Sequence, residues 1–531
     1  MGNDTDKPLW QWSATRIAAA VARREVSASE VLEAHIDRIE ATQPTINALA
    51  FDLFDQARDT ATQMDQKPPD LAVQPLCGVP ISIKECFPVR GAPATLGLTT
   101  RKELQTEDCP QVQKLRAAGG IPVGVTNVPQ LMIVHETKNP VYGETNNPWN
   151  LQRGVGGSSG GEAALVASGG SALGMGSDLG GSVRIPAHFC GVHGLKPTNR
   201  RLGRRGIVQN MRGMRGLEYQ PGPIARHVED LWLGMHVLSR ADASWNGGET
   251  TPLPVSTLPR PQENLKGVRV GVWTDDGFFP ASRAIVRVIE ESVEILKWAG
   301  AEVIEFQPPD TLPALRHYFA LVSADGGADF RRMLSGSVTD PEVARLVRLA
   351  QTPRWLRPMM ARVLRARGEE KLAELFLASG PRSADSLWQA THQAQAFTWD
   401  YLDKLEAASL DFLLCPPHGL TAYPAGWSVD LMPAASYSIV MNLLGIPCGT
   451  VTCGRVLESE QEARFQTPPP KDPALRKAYG SDQQSAGLPV AVQLAARPWR
   501  EEQLLQVMRL LEQEFRQRDN YPEIGLLPEL G

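Results

Sequence analysis

Hydrophobic positions along this chain follow two periods in turn, and the alternation predicts strands separated by helices. Residues 79–84, Val-Pro-Ile-Ser-Ile-Lys, read as a short strand that puts Ser82 and Lys84 on one face. A helix near residues 112–118 leads through Gly119-Gly120 into an apolar strand at 121–125. The same order recurs further on. Residues 268–273 are apolar, Ile285, Val288, Ile289, Val293 and Leu296 keep helical spacing, and residues 301–306 form a strand pattern. Near the C-terminus residues 488–494 predict a strand, and Leu504, Met508, Leu511 and Phe515 mark an amphipathic helix. At the other end Ser27-Ala-Ser-Glu30 is a capping box ahead of Val31, Leu32, Ile36 and Ile39. Strand, helix and strand in this order predict an α/β fold.

Composition narrows the class. The 531 residues are 42% hydrophobic and 21% charged, which excludes a coiled coil, a collagen-like chain and a disordered one. A net charge of −5 gives no reason to expect nucleic acid as a partner. No run of 18 or more apolar residues occurs, and the start, MGNDTDKPLWQW, lacks the layout of a secretory signal, so a cytoplasmic place is expected. Seven cysteines without a CxxC pair fit neither a disulfide framework nor a zinc site. A Pro-rich linker at residues 251–261 and a polar excursion between Cys453 and Gly487, with Pro468-Pro469-Pro470, are short interruptions. One domain over 1–531 is expected, with a helical N-terminal region at 1–74 and a catalytic core at 75–210.

Residues 154–191 hold 12 glycines in 38 positions, a density suited to close backbone approach and positive φ. Three readings compete for Gly156-Gly157-Ser158-Ser159-Gly160-Gly161. A phosphate loop would want Lys and Ser or Thr next, but Glu162 follows. A G-x-S-x-G nucleophile elbow centred on Ser158 would need a preceding strand, and residues 150–154 make a poor one. A plain Gly/Ser turn is the default. Further on, Leu179-Gly180-Gly181 before Ser182 offers consecutive N–H groups, the raw material of an oxyanion hole or of a tight turn. Asp178 and Arg184 read as a scaffolding ion pair. Lys84 is either an edge residue reaching for solvent or a buried amine. Buried, its pKa falls from about 10.4 toward about 6 to 8, and the neutral amine can take a proton from a serine. Nine histidines are scattered, and His188 with His193, the pair nearest this region, has no metal or Ser–His–Asp spacing.

Lys84 in GVPISIKE, Ser158 in GGSSGG and Ser182 in GSDLGGSVRIPA together resemble the amidase signature family. IKECF (83–87), ATLGL (94–98), TNVPQ-x-M (126–132), NPWN (147–150), HFCGVHGLKPTNRRL (188–202), PRSADSLW (381–388) and GLPVAVQ (487–493) resemble its fatty acid amide hydrolase branch, without a counterpart of the membrane-spanning N-terminal helix of animal members. The resemblance implies a large mixed central β-sheet covered by helices on both faces, with a helical cap insertion. It implies Ser182 as nucleophile, Ser158 as a bridging serine held by a cis peptide bond, Lys84 as base, and N–H groups of Leu179, Gly180, Gly181 and Ser182 as oxyanion donors. It implies no metal and no organic cofactor. The acyl channel of that branch passes the positions of Met132, Ile133, Leu375 and Ile439, with Ile133 where an aromatic is usual.

Residues 345–367 carry seven Arg and no acid. Leu356, Met359, Met360, Val363 and Leu364 fall on one face of a helix and Arg354, Arg357, Arg362 and Arg365 on the other, with Trp355 at one end and Pro358 as a kink or a restart. Such a helix packs on a core, joins two copies of the chain as a homodimer, or lies on a membrane as a peripheral contact. The resemblance places the cap of the branch here, at about 340–380. The function implied is a serine amidohydrolase cleaving N-acyl amides whose acyl group is apolar. The alternatives are a broad hydrolase of small amides, esters or urethanes, and an amidotransferase subunit that works with partner chains.

Overall fold

The computed structural model describes residues 7–67, 70–240, 264–461 and 470–524. Among them one sheet contains β1 (Leu49–Asp52), β2 (Pro80–Lys84), β3 (Ile121–Thr126), β4 (Leu173–Asp178), β5 (His193–Lys196), β6 (Gln220–Ala225), β7 (Arg269–Val272), β8 (Glu302–Glu305), β9 (Phe412–Cys415), β10 (Cys448–Arg455) and β11 (Pro489–Ala496). Their spatial order is β1-β3-β2-β4-β6-β5-β10-β11-β9-β7-β8. Both strand–helix–strand patterns become parallel neighbours. β2 crosses through the Pro110–Ala117 helix to β3, and β7 crosses through the Arg283–Trp298 helix to β8. β2 also pairs parallel with β4, whereas the centre of the sheet, from β4 through β6, β5, β10 and β11 to β9, is antiparallel. The sheet is therefore mixed, and it is one sheet because β5 pairs with β10 across the two halves of the sequence.

Every residue of β2, β3, β4, β6, β9 and β11 is buried, so both faces of the sheet are covered. Helices Gly160–Ala167 and Val228–Leu238 pack on the β4 region, and Arg184–Cys190 and Glu501–Phe515 on β10 and β11. The capping box is formed: Ser27 Oγ accepts from Glu30 N at 3.1 Å, and Ser27 N donates to Glu30 Oε2 at 2.8 Å.

Two local expectations are corrected, and the choice left open at Pro358 is decided. Residues 150–154 do form a strand, paired with Asn146–Asn147 outside the main sheet, despite their polar sequence. The excursion after Cys453 contains a helix, Pro473–Asp482, capped by Asp472. The Arg-rich segment is two helices, Pro341–Ala350 and Arg357–Ala366, and Pro358 marks the restart of the second. The Pro-rich linker at 251–261, and Pro468-Pro469 of the later loop, lie outside the described residues.

Candidate active site

Lys84 is the last residue of β2 and is fully buried. Its Nζ lies 2.8 Å from Ser158 Oγ, 3.0 Å from Ser177 Oγ and 3.3 Å from the Ser177 carbonyl. No carboxylate forms an ion pair with it among the described residues. Burial pushes its pKa down to about 8, opposed by the more distant charges of Cys86, Asp178 and Glu162. Ser82, two residues earlier on the same face, donates to Glu162 at 2.6 Å, and Thr126 donates to that carboxyl at 2.7 Å. Burial raises the pKa of Glu162 to about 7, against those hydrogen bonds and the charge of Lys84.

Ser158 sits in the turn before the Gly160–Ala167 helix, and the Gly157–Ser158 peptide bond is cis. The next residue ties this turn to the second serine: Ser159 N donates to the Ser182 carbonyl at 3.1 Å. Gly161 explains part of the glycine density. A Cβ there would meet the Asn127 carbonyl at 2.5 Å and the Ala48 carbonyl at 2.8 Å, so the helix enters against bare backbone.

Ser182 lies in the turn between β4 and the Arg184–Cys190 helix. Asp178 organises this turn. It accepts from Gly181 N at 2.8 Å, Val183 N at 3.1 Å and Asn442 Nδ2 at 2.9 Å, and pairs with Arg184 at 3.0 Å with both side chains fully buried. Burial alone would raise the Asp178 pKa, but the Arg184 guanidinium and these hydrogen bonds hold it well below the usual carboxylate range. Arg184 reaches Gln493 Oε1 on β11, Asn442 Oδ1 and the Ser438 carbonyl. One of the expected oxyanion donors changes role. The Gly181 N–H is spent on Asp178, and Gly181 is absent from the cavity wall, whereas Leu179, Gly180 and Ser182 line it. Among the described residues, no hydrogen bond engages the N–H groups of Leu179, Gly180 or Ser182. Tyr318 Oη donates to the Leu179 carbonyl at 3.4 Å, and a Cβ on Gly180 would stand 2.6 Å from Tyr318 Oη.

Two cavities meet at Ser182. The larger, about 220 Å³, is walled mostly by apolar side chains and contains all four expected channel residues, Met132, Ile133, Leu375 and Ile439. The smaller, about 40 Å³, is bordered by Ser158, Ser177 and Ser182 together with Gln209, Asn210 and Tyr219. The 340–380 segment contributes to the larger one through Val347, Leu349, Ala350, Leu372 and Phe376. An amine beside two hydroxyls, next to unengaged N–H groups and an apolar cavity, suits attack on an acyl carbonyl followed by protonation of the leaving amine.

Sequence reasoning missed four contributors. Tyr318 and Asn442 come from distant segments with no motif of their own, Gln493 ends the GLPVAVQ motif without a role assigned to it, and only folding brings the three to the Asp178 turn. His135 is the histidine of the larger cavity, and burial pushes its pKa down to about 4. His188, by contrast, has structural partners, the Leu420 carbonyl and Ala491 N. Arg357 was expected on the polar face of its helix. It is buried, and its guanidinium donates to the carbonyls of Leu349, Ala350, Thr352 and Phe376, tying its helix to Pro341–Ala350 and Glu370–Ala378.

The amidase family model matches residues 30–505. Fatty-acid amide hydrolase 1 of Sus scrofa is 35% identical over 448 residues, 82% of this chain and 75% of that protein. A glutamyl-tRNA(Gln) amidotransferase subunit of Synechococcus sp. is 30% identical over 518 residues, 95% of this chain and 96% of that protein. Among solved structures, a fatty acid amide hydrolase superposes with a TM-score of 0.77 at 25% identity, covering 95% of this chain and 85% of that one.

Proposed function

Since this chain belongs to the amidase signature family and is an amide-hydrolysing enzyme, we propose that its substrates are N-acyl amides with a long or bulky apolar acyl group, cleaved through an acyl-enzyme on Ser182. The observation that carries this reading is the Lys84–Ser158 contact at 2.8 Å, with Ser158 on the smaller cavity and Ser182 shared between that cavity and the apolar one. Neutral Lys84 withdraws a proton through Ser158 as Ser182 Oγ attacks the carbonyl. The N–H groups of Leu179, Gly180 and Ser182 hold the oxyanion, and losing one such donor costs about 2.7–4 kcal/mol of transition-state stabilisation. The relay then returns a proton to the leaving amine, and water hydrolyses the acyl-enzyme. The acyl chain extends past Met132, Ile133, Leu375 and Ile439. The helices within 340–380 form a cap over it.

The outer side of that cap exposes Trp355, Met359 and Val363 at 80%, 57% and 48%, beside the exposed guanidinium groups of Arg354 and Arg362. An apolar and basic surface of this kind supports a peripheral membrane contact. No helix among the described residues is long and apolar enough to cross a membrane.

The test is a hydrolysis panel of primary amides and N-acyl ethanolamines graded by tail length, with fluorophosphonate labelling of the wild type and of Ser182→Ala. Rates rising from two-carbon to medium and long tails, with labelling abolished in Ser182→Ala, are expected. A preference for the shortest amides would favour a broad small-amide hydrolase, and persistent labelling would reassign the nucleophile. The similarity to an amidotransferase component supports a second reading, in which the chain acts only with partner chains. Turnover of decanamide by the purified chain alone argues against it.

A further inference from the structure

Lys84 Nζ has three neighbours within hydrogen-bond distance, and two of them belong to one residue: Ser158 Oγ at 2.8 Å, Ser177 Oγ at 3.0 Å and the Ser177 carbonyl at 3.3 Å. A neutral primary amine has two N–H donors and one lone pair. To accept a proton from Ser158 it must turn the lone pair toward Ser158 and direct both N–H groups elsewhere. The Ser177 carbonyl can only accept. The pairing of β2 with β4 ends at Ile83↔Met175, and across β6 Ser177 faces Pro221, which has no N–H, so the sheet ladder does not claim that carbonyl; Ser159 Oγ donates to it at 3.3 Å, which leaves its second lone pair for Lys84. The Ser177 hydroxyl accepts from Lys84 provided its own proton has somewhere to go, and Cys86 Sγ stands 3.7 Å from the oxygen.

We propose that Ser177 is a positioning residue: its hydroxyl and its carbonyl together take both N–H groups of neutral Lys84, which leaves the amine lone pair facing Ser158. The inference rests on the reading of Lys84 as base and adds what sets its direction. Protons balance at every step. The Ser182 proton passes to Ser158 Oγ, the Ser158 proton passes to the Lys84 lone pair, and the ammonium then presents one N–H to each of its three neighbours. Ser177 thus neither gains nor loses a proton. It also borders the smaller cavity beside Ser158 and Ser182, so water that replaced its hydroxyl would stand next to the reacting groups.

The experiment follows hydrolysis of decanamide, read by released ammonia, across pH for the wild type, Ser177→Ala, Ser177→Thr and Lys84→Ala. The ionisable groups around the amine are Cys86, Asp178 and Glu162, and none is altered in these variants. In Ser177→Ala, kcat is expected to fall by about 10- to 100-fold with KM within about twofold, as a misdirected base demands. The acidic limb of kcat/KM should move to lower pH, because the lost acceptor stabilises the ammonium more than the amine. Ser177→Thr, which keeps the hydroxyl, should restore both rate and limb. An unmoved limb in Ser177→Ala overturns the proposal whatever the rate, since a loss of packing alone lowers activity without shifting a titration. Failure of Ser177→Thr to recover also overturns it when its melting temperature matches the wild type. Activity in Lys84→Ala would remove the base itself. An inactive Lys84→Ala beside a Ser177→Ala equal to the wild type would defeat this inference alone.

Discussion

Lys84 is a residue that folding penalises. Its pKa is lowered from 10.5 to about 8 by burial, which corresponds to a cost on the order of 3 kcal/mol wherever the side chain is charged in both states. Below pH 8 the full penalty is present, and as pH rises from 8 toward 10.5 the folded amine is neutral while the unfolded one still carries its proton, so the penalty fades. Lys84→Met, similar in volume and without charge, is therefore expected to abolish hydrolysis and raise the unfolding free energy at pH 7 by roughly 1–3 kcal/mol. Urea unfolding measures this, and the advantage should narrow in the alkaline range. Wild-type kcat/KM should rise with pH and level off above about 8. A flat profile would count against an amine as the base. Lys84, Ser158 and Ser182 were candidates from sequence because each sits in a short motif whose joint spacing is specific, and the fold brings Lys84 against Ser158. Ser177 stands inside one of those motifs, yet nothing in its neighbours says that it faces the amine, because the contact arises where β2 stops beside β4.

The turn from Asp178 to Arg184 is held by one carboxylate shared among two backbone N–H groups, an amide and a guanidinium. Asp178→Ala would leave Arg184 buried and without its counter-charge, a loss of about 3–5 kcal/mol in denaturant unfolding. It would also release the Gly181 N–H, and the acyl-enzyme should form far more slowly even where the fold survives. The role of this pair as scaffold was readable from six-residue spacing around a Gly-Gly turn. Its consequence for Gly181 was not, since a run of consecutive N–H groups does not show which one turns inward. The cap helices show the opposite failure. A single helical wheel placed Arg357 on a polar face, but the buried face of the Arg357–Ala366 helix runs through Arg357 and Ala361, and the guanidinium becomes a tie to carbonyls at the ends of two neighbouring helices and of Thr352 between them.

At the scale of the whole molecule the two crossovers and the α/β class were legible, because their hydrophobic periods differ and their order is regular. The antiparallel centre was not, since β4, β6, β5, β10, β11 and β9 come from segments up to about 300 residues apart and no local pattern pairs them. Trp355, Met359 and Val363, between the helices at 340–380 and on the second of them, are exposed. The chain is expected to cosediment with vesicles of anionic phospholipid, and Trp355→Ala combined with Met359→Asp should weaken binding by about tenfold or more. Equal sedimentation of the wild type and the double variant would remove the membrane from the account. The bridge from Arg184 to Gln493 has a further bearing, on biosynthesis. Lys84, Ser158 and Ser182 leave the ribosome long before β10 and β11 exist. The guanidinium behind the serine turn thus meets its last partner only when translation is nearly finished, so a nascent or prematurely terminated chain carries Ser182 in a turn whose buried cation is not yet fully hydrogen-bonded.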